Sequence, residues 1–207
     1  MIRSFILALL LLPAQQNFSQ FTYCRQNSTG SFEALCVQLD SNGVGETRFK
    51  RRDEDDLRRG VSLSPSGKSQ FLSVLSGTKY LANAKTYESK RKVANLGLKH
   101  LTLETPSGRR EAEFNYSDLK EVNALVTFCE GLLTMETLVI DLEWATQFDR
   151  LGIPERLDQI ENVMRSIRVA DTKSLIDVLD IVDRDARIVN YARSHARALR
   201  DTVAAAK

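Results

Sequence analysis

The sequence is short of the side chains from which metal centres and nucleophilic sites are usually built. Among 207 residues there are two histidines, His100 and His195, and three cysteines, Cys24, Cys36 and Cys129. No Cys-x-x-Cys or His-x-x-x-His spacing occurs, so neither a zinc site nor a cofactor is expected from pattern. A Gly-x-Ser-x-Gly elbow is missing as well. Gly67-Lys68-Ser69 is reminiscent of a phosphate loop, but Ser62 stands where that loop requires glycine, and Pro65 withdraws a backbone N–H from any phosphate cradle. Charge of one sign is not in excess. With 29 basic and 27 acidic side chains the net charge is +2, which leaves no surplus for phosphate neutralisation and argues against a nucleic-acid partner.

Long apolar runs are scarce too. Phe5 to Leu12 is unbroken but too short to span a bilayer. Arg3 precedes it and Pro13-Ala14-Gln15-Gln16 follows, which is the order of a secretory signal peptide. Residues 1–19 are therefore assigned to the signal, with the mature chain starting somewhere in 15–21. The expected location is secreted or periplasmic, with no integral membrane span after cleavage. Cys24 is no lipid-anchor site, because Phe21-Thr22-Tyr23 precedes it where small residues are required. In an oxidising compartment three cysteines allow one disulfide, in any of three pairings. Cys24 and Cys36, on adjacent strands of one predicted hairpin, are the candidate pair, and Cys129 falls within a long apolar helix.

What is present is patterned. Gln20 to Arg25, Ser31 to Leu39 and Val44 to Lys50 alternate apolar and polar residues, separated by the turn clusters Asn27-Ser28-Thr29-Gly30 and Asp40-Ser41-Asn42-Gly43, as in an antiparallel meander. Ser64-Pro65 predicts a helix N-cap and first turn, ending near Gly77. Leu96 to Glu104 and Arg109 to Tyr116 predict a second hairpin around Pro106-Ser107-Gly108. From Ser117, read as an N-cap, the period becomes helical and runs past Leu142, covered first by the sheet and later by other helices. Gly152-Ile153-Pro154 breaks it, a second helix follows, and a third runs from the Asp171-Thr172 cap to Leu199. The fold class is α+β: a meander and a hairpin packed on helices over residues 20–116, followed by a helical hairpin or three-helix extension over 117–207.

Candidate sites are few. Glu136 and Glu143, seven apart near Asp141, lack a Glu-x-x-His partner and read as a solvated helix face. Cys129 with His100 is the conceivable thiol–imidazole couple, but an apolar mid-helix setting makes the thiol inert. Asn27 and Asn115 match the glycosylation pattern. Arg48, Lys50, Arg51, Arg52, Arg58 and Arg59 flank one edge of the meander, beside a loop carrying Lys85, Lys90, Arg91 and Lys92. Such an edge either docks an acidic partner surface or guards the strand against aggregation. The third helix changes sign along its length, from Asp177, Asp180 and Asp183 to Arg193, Arg197 and Arg200, which suits the helix dipole.

The order meander, helix, hairpin, helix resembles that of small secreted inhibitors of thermolysin-type metalloproteases of the emfourin type, over roughly residues 21–133. The resemblance is one of element order; no inhibitory motif carries over, and the helical tail departs from it. The sequence thus points to an exported, non-catalytic binding or interaction protein of the cell envelope or secreted fraction. It would take a protein partner or self-associate through the helical extension. A protease-inhibitor-like domain and a hydrolase without a recognisable motif are the alternatives.

Overall fold

A computed structural model describes residues 18–26, 32–51, 55–166 and 170–205. Six antiparallel strands form one sheet: β1 (Gln20–Gln26), β2 (Phe32–Leu39), β3 (Val44–Arg51), β4 (Leu57–Ser62), β5 (Leu98–Thr105) and β6 (Gly108–Phe114), in the order β4-β3-β2-β1-β5-β6. Alternation sets the two faces. Phe21 and Tyr23 of β1 lie opposite Leu39 and Val37 of β2 on one side and Leu103 and Leu101 of β5 on the other, and all six are fully buried. The opposite face carries Thr22, Cys24, Gln38, Arg48, His100 and Glu113 in the same register.

The apolar face is covered by α1 (Pro65–Gly77) and the first half of α2 (Lys120–Phe148). Ser64 caps α1 by accepting from the Gly67 N–H, with Pro65 at the first turn. Phe71 projects from α1 into a ring cluster, its centroid 5.5 Å from Phe21 and 5.8 Å from Phe128. Burying an aromatic of this size contributes about 1.5–3 kcal/mol. Beyond Leu133 the same helix changes partners. Met135, Val139, Leu142 and Ala145 pack with α3 (Ile153–Ser166), α4 (Lys173–Arg184) and α5 (Asn190–Ala205) in a second core. The fold is therefore α+β with a helical C-terminal part, and the seam between its two cores falls inside one 29-residue helix. Among the described residues no helix is long and apolar enough to cross a membrane.

Several local expectations are corrected. The charged stretch after β3, where the sequence pattern predicts no strand, contains β4, because the main chain from Leu57 to Ser62 pairs with β3 whatever its side chains. Ser117 is not the cap of α2. The helix starts at Lys120 behind Leu119, while the Ser117 hydroxyl accepts from the Leu119 N–H. The third predicted helix is two, α4 and α5. Asp185 stops α4 by accepting from the backbone and guanidinium of Arg187, and Ile188 turns into the core. The change of sign read along one helix lies instead across a helical hairpin: Arg197 meets Asp183 at 2.7 Å and Arg200 meets Asp180 at 2.7 Å. The turn 27–30 and most of the assigned signal lie outside the described residues. Phe18 and Ser19 belong to the fold: Phe18 is buried against Phe71, and the Ser19 N–H donates to the Glu104 carbonyl.

The connection after α1 is strained. Lys79, Tyr80 and Leu81 have φ of 51°, 51° and 60°, a left-handed turn of three non-glycine residues, where L side chains are disfavoured by about 1–2 kcal/mol each. It is held by Leu81 in the core, by Arg110 donating to the Tyr80 carbonyl at 2.9 Å, and by Tyr87 donating to the Thr78 carbonyl at 3.1 Å. Lys79 is exposed, so Lys79→Gly relieves one such residue without emptying any contact. Its urea unfolding midpoint is expected to rise by the equivalent of about 1 kcal/mol.

Candidate functional site

The sequence-derived site residues divide between the two faces of the sheet. Cys24 and Cys36 are direct cross-strand partners of β1 and β2 and form a disulfide on the face away from the helices. Arg48, Lys50 and Arg58 lie on that same face, because they alternate with the inward Thr47, Phe49 and Arg59. Each faces an acid: Asp56 at 3.5 Å, Glu33 at 3.6 Å and Glu46 at 3.3 Å respectively. Arg51 lies over the Phe32 ring at 5.3 Å. Arg52 lies outside the described residues. The loop bearing Lys85, Lys90, Arg91 and Lys92 reaches this face at its end, where Asn95 lines a pocket with Arg48 and Lys50, while its basic residues lie elsewhere. It packs by β6, at the far end of the sheet, where the Ser89 N–H donates to the Tyr116 carbonyl and Arg91 pairs with Asp118 at 3.4 Å. Among the described residues, Arg48, Lys50 and Arg58 and the basic residues of that loop therefore do not form one continuous surface.

Arg59 has a different task. Its side chain points to α2, donating to Glu136 at 2.7 Å and pairing with Glu143. Glu136 is 1% exposed, so it is no part of a solvated face. Burial pushes its carboxyl above the usual range, against the pull of Ser174 and Arg59. Burial alone would lower the Arg59 guanidinium, but the hydrogen bonds and charges of Glu143 and Glu136 outweigh it and hold it above its ordinary value. A second buried acid completes the seam. Asp171, next to the start of α4, accepts from the Ser64 N–H at 2.8 Å, the Ser64 hydroxyl at 2.7 Å and the Lys173 N–H at 2.8 Å. A Cβ on Gly67 would stand 1.9 Å from the Asp171 carboxylate, so the glycine of the phosphate-loop look-alike serves this close approach.

Beside Arg59 a groove of about 670 Å³ opens between the sheet edge and α2. Phe32, Phe49, Leu57, Ile140 and Trp144 form its apolar lining, and Arg51, Asp55, Asp56 and Asp141 its polar part. Burial raises the Asp141 carboxyl, opposed by Arg156 and Arg51. Trp144, the single tryptophan of the chain, is 51% exposed, and its ring is 5.6 Å from that of Phe148, itself 70% exposed. Leu151, 85% exposed, follows just past the helix end. Exposed aromatics of this size beside an apolar groove are the composition of an interface core. Sequence reasoning followed the apolar stripe through Leu142 and did not consider Trp144, which lies off it; the lone tryptophan was the available signal.

The thiol–imidazole couple does not form. Cys129 is fully buried on the helix side of the sheet, where burial pushes its thiol up, while His100 sits on the opposite face 3.1 Å from Glu113. The chain matches no known protein family and no curated protein.

Removing the Arg59 guanidinium strands Glu136 in the seam. Arg59→Ala is expected to cost about 3–5 kcal/mol at pH 7. Because the folded-state carboxyl titrates above its unfolded value, the buried anion is relieved as pH falls through that range. The deficit relative to wild type should therefore shrink between pH 7 and pH 5, read by urea unfolding at both. A deficit independent of pH would place the cost in lost packing instead.

Proposed function

We propose that this is an exported, non-catalytic protein-binding module that takes its partner in the Trp144 groove. The observation that carries the reading is the exposed aromatic pair Trp144 and Phe148 beside a groove with Phe32 and Phe49 on its floor and the half-exposed Leu57 at its mouth. Aromatic anchors at a concave apolar site are where binding energy concentrates. Asp56 is paired with Arg48, and Arg156 and Arg51 oppose Asp141, with the Arg156 guanidinium 5.7 Å from the centre of the Trp144 ring, so the groove selects chiefly for an apolar partner segment. The disulfide suits an oxidising compartment. The inhibitor alternative shares this surface and differs in the partner, a metalloprotease whose activity falls stoichiometrically.

Export makes a prediction about processing. Phe18 is part of the core, so signal cleavage within the 15–21 window must leave it in place. Mass spectrometry of the secreted chain is expected to find its first residue between 15 and 18. A start at residue 19, 20 or 21 would contradict the burial of Phe18.

The groove is tested by capture from envelope and culture-supernatant extracts with the wild-type chain, Trp144→Ala and Arg58→Ala. One stoichiometric polypeptide is expected with wild type and Arg58→Ala, reduced about tenfold or more with Trp144→Ala, while the unfolding midpoint of Trp144→Ala stays near wild type. Equal capture by all three would move the interface to another face. No capture together with a Trp144-dependent dimer in light scattering would make the partner a second copy of this chain.

A further inference from the structure

We propose that Asp158, Glu161 and His195 form a binding site for a divalent zinc-class ion that clamps α3 to α5. Asp158 and Glu161 are three apart on α3, hence on one face of that helix. His195 comes from α5, which packs alongside. One oxygen from each carboxylate and one imidazole nitrogen lie within 4.8 Å of one another.

The two carboxylates approach opposite nitrogens of the ring, so an ion on Nδ1 is met by Asp158 near where it stands and by Glu161 after a side-chain rotation that its place at the rim allows. Nε2 of His195 is 3.5 Å from Glu161 and Nδ1 is 3.7 Å from Asp158, longer than the roughly 2.7–3.2 Å of a nitrogen–oxygen hydrogen bond. Tetrahedral ligands held at about 2.0–2.2 Å from one ion stand about 3.3–3.6 Å apart, close to the Nδ1–Asp158 separation, and the Glu161 oxygen, within 4.8 Å of the others, closes the remaining gap on binding. The imidazole is mostly buried between the helices, and its Nδ1 is enclosed without a hydrogen-bond partner, a state that a buried polar atom does not normally keep. Tyr191, one turn earlier on α5, stands against the ring at a centroid distance of 6.3 Å.

The donor set selects the ion. A neutral imidazole with two carboxylates carries two negative charges, matching a divalent cation, and the mixture of nitrogen and oxygen suits zinc over calcium or magnesium, which prefer oxygen alone. Arg165 pairs with Oε1 of Glu161 and leaves Oε2 toward the histidine. Asp158 is exposed, so the ion has a path from solvent. Pattern reading passed over the site because its ligands come from two helices in a spacing that matches no compact motif.

The test is zinc chloride titrated calorimetrically into the full, tag-free, metal-stripped chain, with calcium and magnesium as comparisons. One equivalent of zinc is expected to bind with a dissociation constant in the micromolar range and to raise the melting temperature. His195→Ala and Glu161→Gln should each weaken binding at least about tenfold and remove the zinc-dependent melting shift. Glu161 lies at the rim of the cluster, so Glu161→Gln is expected to keep the helical circular dichroism of the wild type and serves if His195→Ala fails to fold. No binding up to millimolar zinc, or undiminished binding in Glu161→Gln, would overturn the site and leave the three residues as an ion-pair cluster. Loss of binding on His100→Ala alone would overturn it too, by placing the zinc at His100 and Glu113 on the sheet.

Discussion

A carboxylate at the seam between two hydrophobic cores has to be neutralised, and the rest of the structure is arranged around how Glu136 is. It sits on α2 where the helix leaves the sheet core and enters the helical one. The cation comes from β4, an edge strand, through Arg59, and Glu143 takes the second nitrogen one turn pair further along. Because a buried charge left alone costs several kcal/mol, the edge strand is tied to the helix in one register. Asp171 repeats the device between the first turn of α1 and the start of α4. The helical part is thus attached to the sheet by a shared helix and by two buried acids.

The same tie shapes the groove. With Arg59 held against α2, Leu57 stands at the mouth and Phe49 and Phe32 on the floor, while Ile140, Asp141 and Trp144 supply the opposite wall. The wall comes from α2 beyond the point where its buried face changes partners, with Ile140 still packed on the sheet core, and the floor comes from the sheet. Neither part alone makes the site. Arg48, Lys50 and Arg58 are spread over the outer face and matched locally with acids, which is how an exposed strand edge is kept from pairing with other chains.

Much of the architecture was legible because period follows burial. Alternation at Phe21, Tyr23, Leu35, Val37 and Leu39 marked strands covered on one side, Ser64-Pro65 marked the start of α1, and the long apolar stripe from Val122 marked a helix with two sets of neighbours. Where the chain followed no local preference, sequence reading failed. β4 has charged and glycine residues in place of apolar alternation, since a two-sided edge strand can be held by main-chain pairing and one ion pair. The break between α4 and α5 depends on a five-residue turn organised by Asp185 and Arg187, with no proline or glycine to announce it.

By itself the sequence determined the α+β class, the strands and helices with strong periodicity, the candidate disulfide pair and the expectation of export, because each depends on residues near one another in the chain. Only the tertiary structure decided that Arg59 answers Glu136, that Gly67 makes room for Asp171, that Trp144 is exposed beside a groove, and that His195 meets Asp158 and Glu161. Those are contacts between distant segments. A side chain's role there depends on what charge or surface arrives opposite it, and that is set when the sheet and the helices pack.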